Sequence, residues 1–312
     1  MSANRPGREE DADRPAACES SMARSSTRIA VGRERVIVAA GALTLLAVSV
    51  TTAARVLTNL PSGPVAAAPA VREAAVAATP FVVAASLAAV ALATDRPPLR
   101  VGVLFVAVFG VLQAFSRAAV LPGVAGVAAG SGAALAGTLG VPSSYRAARR
   151  SAVALGFAAG IALSLFAAVG IAGAGLRSTG GVLVAVSLVG IGLRVGDDRL
   201  GLAASVLAFI ATAAAVASAP YVAGAVLLVA FAVVGVPGLL VAAAVGSCVG
   251  VAVAALRRRE YATAIGAGVL LVAGLPASFP RAMAVAFGAL LVLVPVEALA
   301  GGGERSRREV TQ

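Results

Sequence analysis

Long runs of apolar residues separated by short polar segments extend along the chain from residue 36 to residue 300. A helix needs about 20 apolar residues to cross roughly 30 Å of hydrocarbon, and arginines and prolines divide the runs into spans of about that length. The predicted spans are 36–57, 74–94, 99–116, 118–140, 151–175, 178–195, 261–278 and 282–300, with one longer stretch at 200–256. The pattern predicts an all-α, polytopic transmembrane helix bundle.

The apolar stretch at 200–256 has the length for two crossings by long helices or three by short ones. Arginine placement separates the two cases, because short cytoplasmic loops carry an excess of basic residues. Two crossings put 17 span-flanking arginines on the N-terminal side and 5 on the other, whereas three crossings give 12 and 10. Two crossings preserve the bias, so we predict about ten helices, within a range of nine to eleven, with both termini in the cytoplasm.

Two charged tails flank the predicted transmembrane domain at 36–300. Residues 1–35 carry an acidic patch followed by a basic run, and this composition predicts a disordered cytoplasmic tail. Residues 301–312 form a second charged tail, which the predicted topology also places in the cytoplasm. A cleaved signal peptide at 36–54 is disfavoured, because the apolar run exceeds the 7 to 15 residues typical of such segments.

Composition supports this interpretation and excludes several classes of protein. Of the 312 residues, 60% are apolar and 12% charged, with a mean hydropathy of +0.97, whereas soluble proteins average about 25% charged residues. The net charge of +11 rests on arginine alone, since the chain has no lysine. Most of these arginines lie in short loops between spans, so they predict a multi-pass orientation in the cell membrane and no nucleic-acid partner.

The polar residues indicate little chemistry. The chain has no histidine and no lysine, which excludes Ser-His and Cys-His nucleophiles, HExxH zinc sites and a Walker A loop within it. Asp197 and Asp198 are a candidate Mg²⁺ pair, but Arg194 and Arg199 flank them, which favours a solvated loop over a metal site. We therefore expect no enzymatic activity, no metal and no cofactor.

A candidate substrate-binding site lies within the long apolar stretch. The sequence from Gly235 to Gly238 interrupts a 36-residue segment at 221–256, because Pro237 removes a backbone donor and the glycines loosen the turn. Interrupted helices in transporters place freed backbone groups at a substrate site. Glu297, near the end of the last span, is the other candidate ligand-binding residue. The alternatives are structural: a kink without a ligand, and a carboxylate that reaches the interface.

Small residues predict close packing of the helices. Glycines four residues apart occur at 126 and 130, at 156 and 160, and at 246 and 250, and such pairs let helix backbones approach closely. Basic residues precede the odd-numbered spans, and this spacing predicts that the spans are paired as five hairpins.

Three functions remain open. We favour a non-catalytic membrane scaffold or accessory subunit, because intramembrane charges are scarce and close-packing motifs are many. The alternative is a small-molecule permease, since ten helices with both termini inside resemble, in topology only, the drug/metabolite exporter superfamily and ten-helix permease subunits of ATP-driven importers. An intramembrane lipid enzyme is disfavoured by the missing histidines and paired acidic motifs. The expected partners are the lipid bilayer and either another membrane protein or further copies of the chain.

Overall fold

The structure, a computed structural model, describes residues 14–58, 68–137, 144–171, 173–193, 198–218, 235–294 and 299. These residues form helices and short connections, and they contain no strand. The ten α-helices of the described residues are α1 (Arg14–Thr58), α2 (Ala68–Ala93), α3 (Pro97–Phe115), α4 (Val120–Ala136), α5 (Tyr145–Ala168), α6 (Ala174–Gly192), α7 (Arg199–Ser218), α8 (Gly238–Arg257), α9 (Tyr261–Ala273) and α10 (Phe279–Leu293). The predicted all-α bundle of about ten helices is confirmed.

Seven of these helices are long and apolar enough to cross a membrane. The other three, α4, α9 and α10, have 17, 13 and 15 residues. At 1.5 Å per residue they extend for about 20 to 26 Å, less than the hydrocarbon thickness of about 30 Å. Between α9 and α10 the chain is non-helical, and Gly274, Leu275 and Pro276 are buried there. Non-helical backbone at this depth is tolerated because other parts of the protein cover it.

Successive helices pack in five antiparallel hairpins, α1 with α2, α3 with α4, α5 with α6, α7 with α8, and α9 with α10. In four of them, two glycines face each other so closely that a Cβ on one would lie 3.0 Å or less from the carbonyl oxygen of the other. These pairs are Gly102 with Gly130, Gly160 with Gly180, Gly201 with Gly250, and Gly266 with Gly288. In the first hairpin, the hydroxyls of Thr51 and Thr79 lie 2.7 Å apart. The predicted hairpins and close packing are confirmed.

The last helix, α10, lies inside a ring formed by eight others. The ring runs from α1 through α2, α3, α4, α5, α6, α8 and α9 and back to α1. Inside it, α10 contacts α1, α2, α3, α4, α5 and α9, and all of its residues except Pro280 are buried. The remaining helix, α7, packs on the outside of the ring against α8, and only 6% of its apolar window is buried. The core of the molecule is therefore built around its last described helix.

The antiparallel order collects the helix ends at two opposite ends of the bundle. At one of them, which we call the arginine-rich end, Arg33 on α1 pairs with Asp95 after α2, and Asp198 before α7 pairs with Arg257 at the end of α8. Because Asp198 and Arg257 meet, the apolar stretch between them returns to the end where it began. The described helices α7 and α8 therefore run antiparallel, as two crossings require, and residues 219–234 between them lie outside the described residues.

Helix boundaries differ from the predictions at both ends of the chain. Residues 14–35, predicted to be disordered, are helical, because extending a formed helix adds one hydrogen bond per residue and Pro15 stands in the first turn, where its missing N–H is not needed. The predicted span at 261–278 ends at Ala273, since Gly274 has a φ of 64° and breaks the helix. The final helix begins at Phe279 instead of 282, because Pro280 fits its first turn.

Candidate functional site

The predicted interruption at Gly235 to Gly238 is the place where α8 begins. Gly238 is the first residue of α8, and Pro237 is its N-cap, whose carbonyl accepts from the N–H groups of Leu240 at 2.9 Å and Val241 at 3.1 Å. Gly235 has a φ of 75°, a left-handed conformation that suits glycine. The preceding part of the predicted segment, 221–234, and the second candidate, Glu297, lie outside the described residues.

The side chains around this turn belong to neighbouring helices. A Cβ added to Gly235 would lie 2.2 Å from the Ser178 hydroxyl on α6, and one added to Gly238 would lie 3.0 Å from Val216 on α7. The buried Val236 points at Gly181 on α6. These contacts pack the start of α8 against α6 and α7, and a ligand at this turn stays a prediction.

A small apolar cavity lies between α6, α8 and α9. It has a volume of about 30 Å³ and is lined by residues such as Leu188, Val241, Cys248 and Leu270. This is roughly the volume that one water molecule occupies in the liquid. Its lining offers almost no polar group to orient a solute, so it is best described as a packing gap.

Asp198, one of the two candidate Mg²⁺ ligands, caps α7. Its Oδ1 accepts from the N–H groups of Leu200 at 3.1 Å and Gly201 at 3.3 Å, and Arg257 Nη1 donates to the same oxygen at 2.7 Å. Burial acts to raise the pKa of Asp198, but the Gly201 N–H, the Arg257 guanidinium and the Leu200 N–H together lower it below its ordinary value. Within the described ranges no group of three or more acidic or cysteine residues is arranged to hold a metal, and Asp197 lies outside them.

A small cavity of about 20 Å³, whose lining surface is mostly apolar, lies at the opposite end of the bundle, where α1, α2 and the start of α10 meet. Arg55 comes from the last turn of α1 and Arg281 from the first turn of α10. The Arg281 side chain lies deep in the bundle, because the residue is only 6% exposed. Three threonines and one serine also line the cavity: Thr51, Thr52, Thr79 and Ser278. We call it the Arg55–Arg281 pocket.

The threonines of this pocket fasten its walls together. Thr79 donates to the carbonyl of Ala75 at 2.6 Å and shares a hydrogen bond with Thr51, which joins α2 to α1. Thr52 donates to the carbonyl of Val272 at 3.2 Å and so joins α1 to α9. The Ser278 hydroxyl oxygen is buried and has no hydrogen-bond partner among the described residues. The pocket is therefore lined by two arginines, three threonines and Ser278, together with the apolar Val48, Val76 and Pro280.

The Arg55–Arg281 pocket was not predicted from the sequence, which placed Arg281 in an outer loop before a span at 282–300. A usable signal was present in Ser278 and Pro280, because serine at the N-cap and proline in the first turn mark the start of a helix. That signal would have placed Arg281 within the helix. It would not have shown that Arg55 lies beside it.

A family model described as an integral membrane family of unknown function (DUF8068) matches residues 37–293. The matched region extends from the apolar part of α1 to the end of α10, so it includes the ring and its central helix. No curated protein and no solved structure matches the chain.

Proposed function

Since the chain belongs to this integral membrane family of unknown function, we propose that it acts within the membrane as a non-catalytic scaffold or accessory subunit. The observation that carries the proposal is the filled centre of the bundle. Along α10, Phe287, Met283 and Leu290 are fully buried among the surrounding helices. A bundle packed in this way presents a stable apolar exterior, which suits contact with another membrane protein.

The contact between α3 and α10 illustrates how closely the centre is packed. Met283 of α10 lies over Gly110 of α3, where an added Cβ would be 2.2 Å from the Met283 sulfur. Carriers that work by alternating access place their substrate near the midplane, between halves that move against each other. Here α10 occupies that space, and Gly235 and Gly238, the proposed solute contacts of a permease, pack against Ser178 and Val216. The geometry therefore favours the scaffold over the permease alternative.

The proposed location is the cell membrane, with the arginine-rich end in the cytoplasm. Arg33, Arg100, Arg257 and Arg258 all belong to this end in the described structure. Short cytoplasmic loops carry more arginine than external ones, and this bias supports the orientation.

Photo-crosslinking from lipid-facing positions tests the scaffold proposal. A photoreactive phenylalanine analogue would replace one exposed leucine at a time: Leu121 on α4, Leu155 on α5 or Leu207 on α7. Phe287, buried inside the same chain, is the control position. A scaffold should give a protein adduct of one defined mass from one side of the bundle, and no such adduct from position 287.

Each result of this experiment has a definite meaning. An adduct at twice the mass of the chain would identify a second copy as the partner, and any other single mass would identify a different protein. Only lipid adducts at every exposed position, together with purification of the chain alone as a stable monomer, would contradict the proposal.

A further inference from the structure

We propose that a groove at the arginine-rich end, between the start of α7 and the end of α8, binds the headgroup of an anionic phospholipid. The groove has a volume of about 690 Å³ and is open to the surface. It is lined by three arginines, one aspartate and one leucine: Arg199, Arg257, Arg258, Asp198 and Leu200. We call it the α7–α8 groove.

Two of the three arginines in the groove are available to a ligand. Arg257 pairs with Asp198 at 2.7 Å, so the carboxylate of the lining is already engaged. Arg199 and Arg258 are exposed, and within the part of the chain that the structure describes their side chains form no hydrogen bond or ion pair. Three guanidinium groups against one carboxylate leave the groove positively charged. It therefore favours an anion.

A phosphate group matches the donors of these arginines. A planar guanidinium donates two parallel N–H bonds to phosphate oxygens, and such charge-assisted bonds are stronger than neutral ones. Arg199 begins α7 and Arg258 is the C-cap of α8, so a phosphate bound by both would join the two helices. The next two residues, Arg259 and Glu260, carry opposite charges, so they leave the net charge of this region unchanged.

The depth of the groove favours a lipid as the source of the phosphate. The span of α7 begins at Arg199 and that of α8 ends at Arg257, so the groove lies where the hydrocarbon meets the headgroups. Leu200 in the groove and Leu256, which precedes Arg257, are both more than half exposed. Basic pockets between transmembrane helices on the cytoplasmic side bind lipid headgroups, and exposed leucines beside such a pocket would contact the acyl chains.

Thermal unfolding of the purified full chain in a non-ionic detergent tests this site. Phosphatidylglycerol, which is anionic, and phosphatidylcholine, which is zwitterionic, would be titrated in parallel with the same acyl chains. We expect phosphatidylglycerol to raise the unfolding midpoint in a saturable way, by about 2 to 4 °C, because a ligand that binds only the folded state stabilises it. Phosphatidylcholine should give a smaller rise.

Three substitutions of arginine by glutamine locate the site. Arg199→Gln and Arg258→Gln should each raise the phosphatidylglycerol concentration that gives half of the rise by about five-fold, the loss expected for one arginine near an anionic surface. Arg100→Gln is the matched control, because it removes an exposed arginine at the same end, on α3, which packs against α2 and α4. This variant should respond as the native chain does.

Four results would overturn the proposal. Equal responses to the two phospholipids would show that the headgroup charge does not matter. Native-like responses of Arg199→Gln and Arg258→Gln would place the lipid elsewhere. An equal loss in Arg100→Gln would show a diffuse attraction to the whole arginine-rich end. An equal rise with glycerol phosphate, the headgroup without acyl chains, would assign the groove to a soluble phosphate.

Crosslinking to the native chain decides the matter if a groove variant fails to fold. Phosphatidylglycerol with a photoreactive group near its phosphate should form adducts on peptides that contain Arg199 or Arg258. Adducts confined to other peptides would reject the groove.

Discussion

Asp198 holds the first turn of the outermost helix, α7, which also packs along α8 where Gly201 faces Gly250. Little of α7 is buried, so most of its surface gains nothing from packing against protein. Its first turn, however, is held by the Asp198 carboxylate, which caps the helix and pairs with Arg257 of α8. A capping carboxylate that also meets a guanidinium fixes both the start of α7 and its neighbour.

The pH dependence of stability should report this contact. Because the folded-state pKa of Asp198 is lowered, the charged carboxylate stabilises the fold above its ordinary value of 3.8, and this contribution is lost as the pH falls through the lowered value. Asp198→Asn should therefore lower the unfolding midpoint at pH 7, and the difference from the native chain should shrink below about pH 3.8.

Thermal unfolding in detergent between pH 7 and pH 3 measures this difference. Glu73→Gln, which removes an exposed carboxylate at the other end of the bundle, is the control for the loss of one negative charge. A difference between native chain and Asp198→Asn that stays constant over the pH range would show that the charge of Asp198 contributes nothing.

At the residue scale, the sequence identified candidate site residues, but it did not identify the residues that lie next to them in the fold. Gly235, Pro237 and Gly238 do mark a break, since a helix begins there, yet nothing in their spacing shows which helices surround it. Arg55 and Arg281 are more than 200 residues apart, and counting arginines assigns them only to a side of the membrane. Their meeting depends on α10 entering the centre, which is a property of the tertiary packing.

At the scale of elements, paired glycines set the distance between helices. In α3 and α4 the backbones meet at Gly102 and Gly130. The sequence pattern identified Gly130, because Gly126 precedes it by four residues, but it could not identify Gly102, which has no glycine four residues away. Glycine spacing within one helix therefore predicts that a close contact exists, and the partner has to come from the structure.

Two glycines of α4 provide a matched test of this packing. A Cβ at Gly130 would lie 2.8 Å from the Gly102 carbonyl oxygen, whereas one at Gly132 would meet nothing within 4 Å. Gly130→Ala should destabilise the fold by about 1 to 3 kcal/mol, because the helices must separate. Gly132→Ala should be neutral or slightly stabilising, since alanine favours a helix more than glycine does. Thermal unfolding midpoints in detergent compare the two, and equal losses would show that the close approach does not matter.

At the scale of the whole molecule, the placement of the arginines predicted how often the chain crosses the membrane. It did not predict how the helices are arranged around one another. The excess of arginine at one end predicted two crossings for residues 200–256, and the Asp198–Arg257 pair agrees with this prediction, because it brings the outer ends of α7 and α8 together. The ring order requires contacts of α8 with α6 and of α9 with α1, which lie far apart in sequence. Hydrophobicity alone gives no information about such contacts, because every lipid-exposed helix is apolar.

Cysteine accessibility tests the two ends of the bundle together with their orientation. On a Cys18→Ala, Cys248→Ser background, single cysteines would replace Ser116, Ile171, Tyr145 and Arg258, one at a time, all exposed positions. An impermeant thiol reagent applied to intact cells should label positions 116 and 171, and positions 145 and 258 only after lysis. Labels on different sides for 145 and 258 would contradict the fold, and a full inversion would contradict only the cytoplasmic orientation.

The central position of α10 has a consequence for biosynthesis. The ribosome makes α10 after the six helices that it contacts, so those helices are synthesised before the side chains of Phe287 and Met283 exist to fill the space between them. Until then Arg55 has no Arg281 beside it. The centre of the bundle can therefore be filled only late in synthesis, and a chain stopped before residue 279 lacks the helix that six of its earlier helices contact.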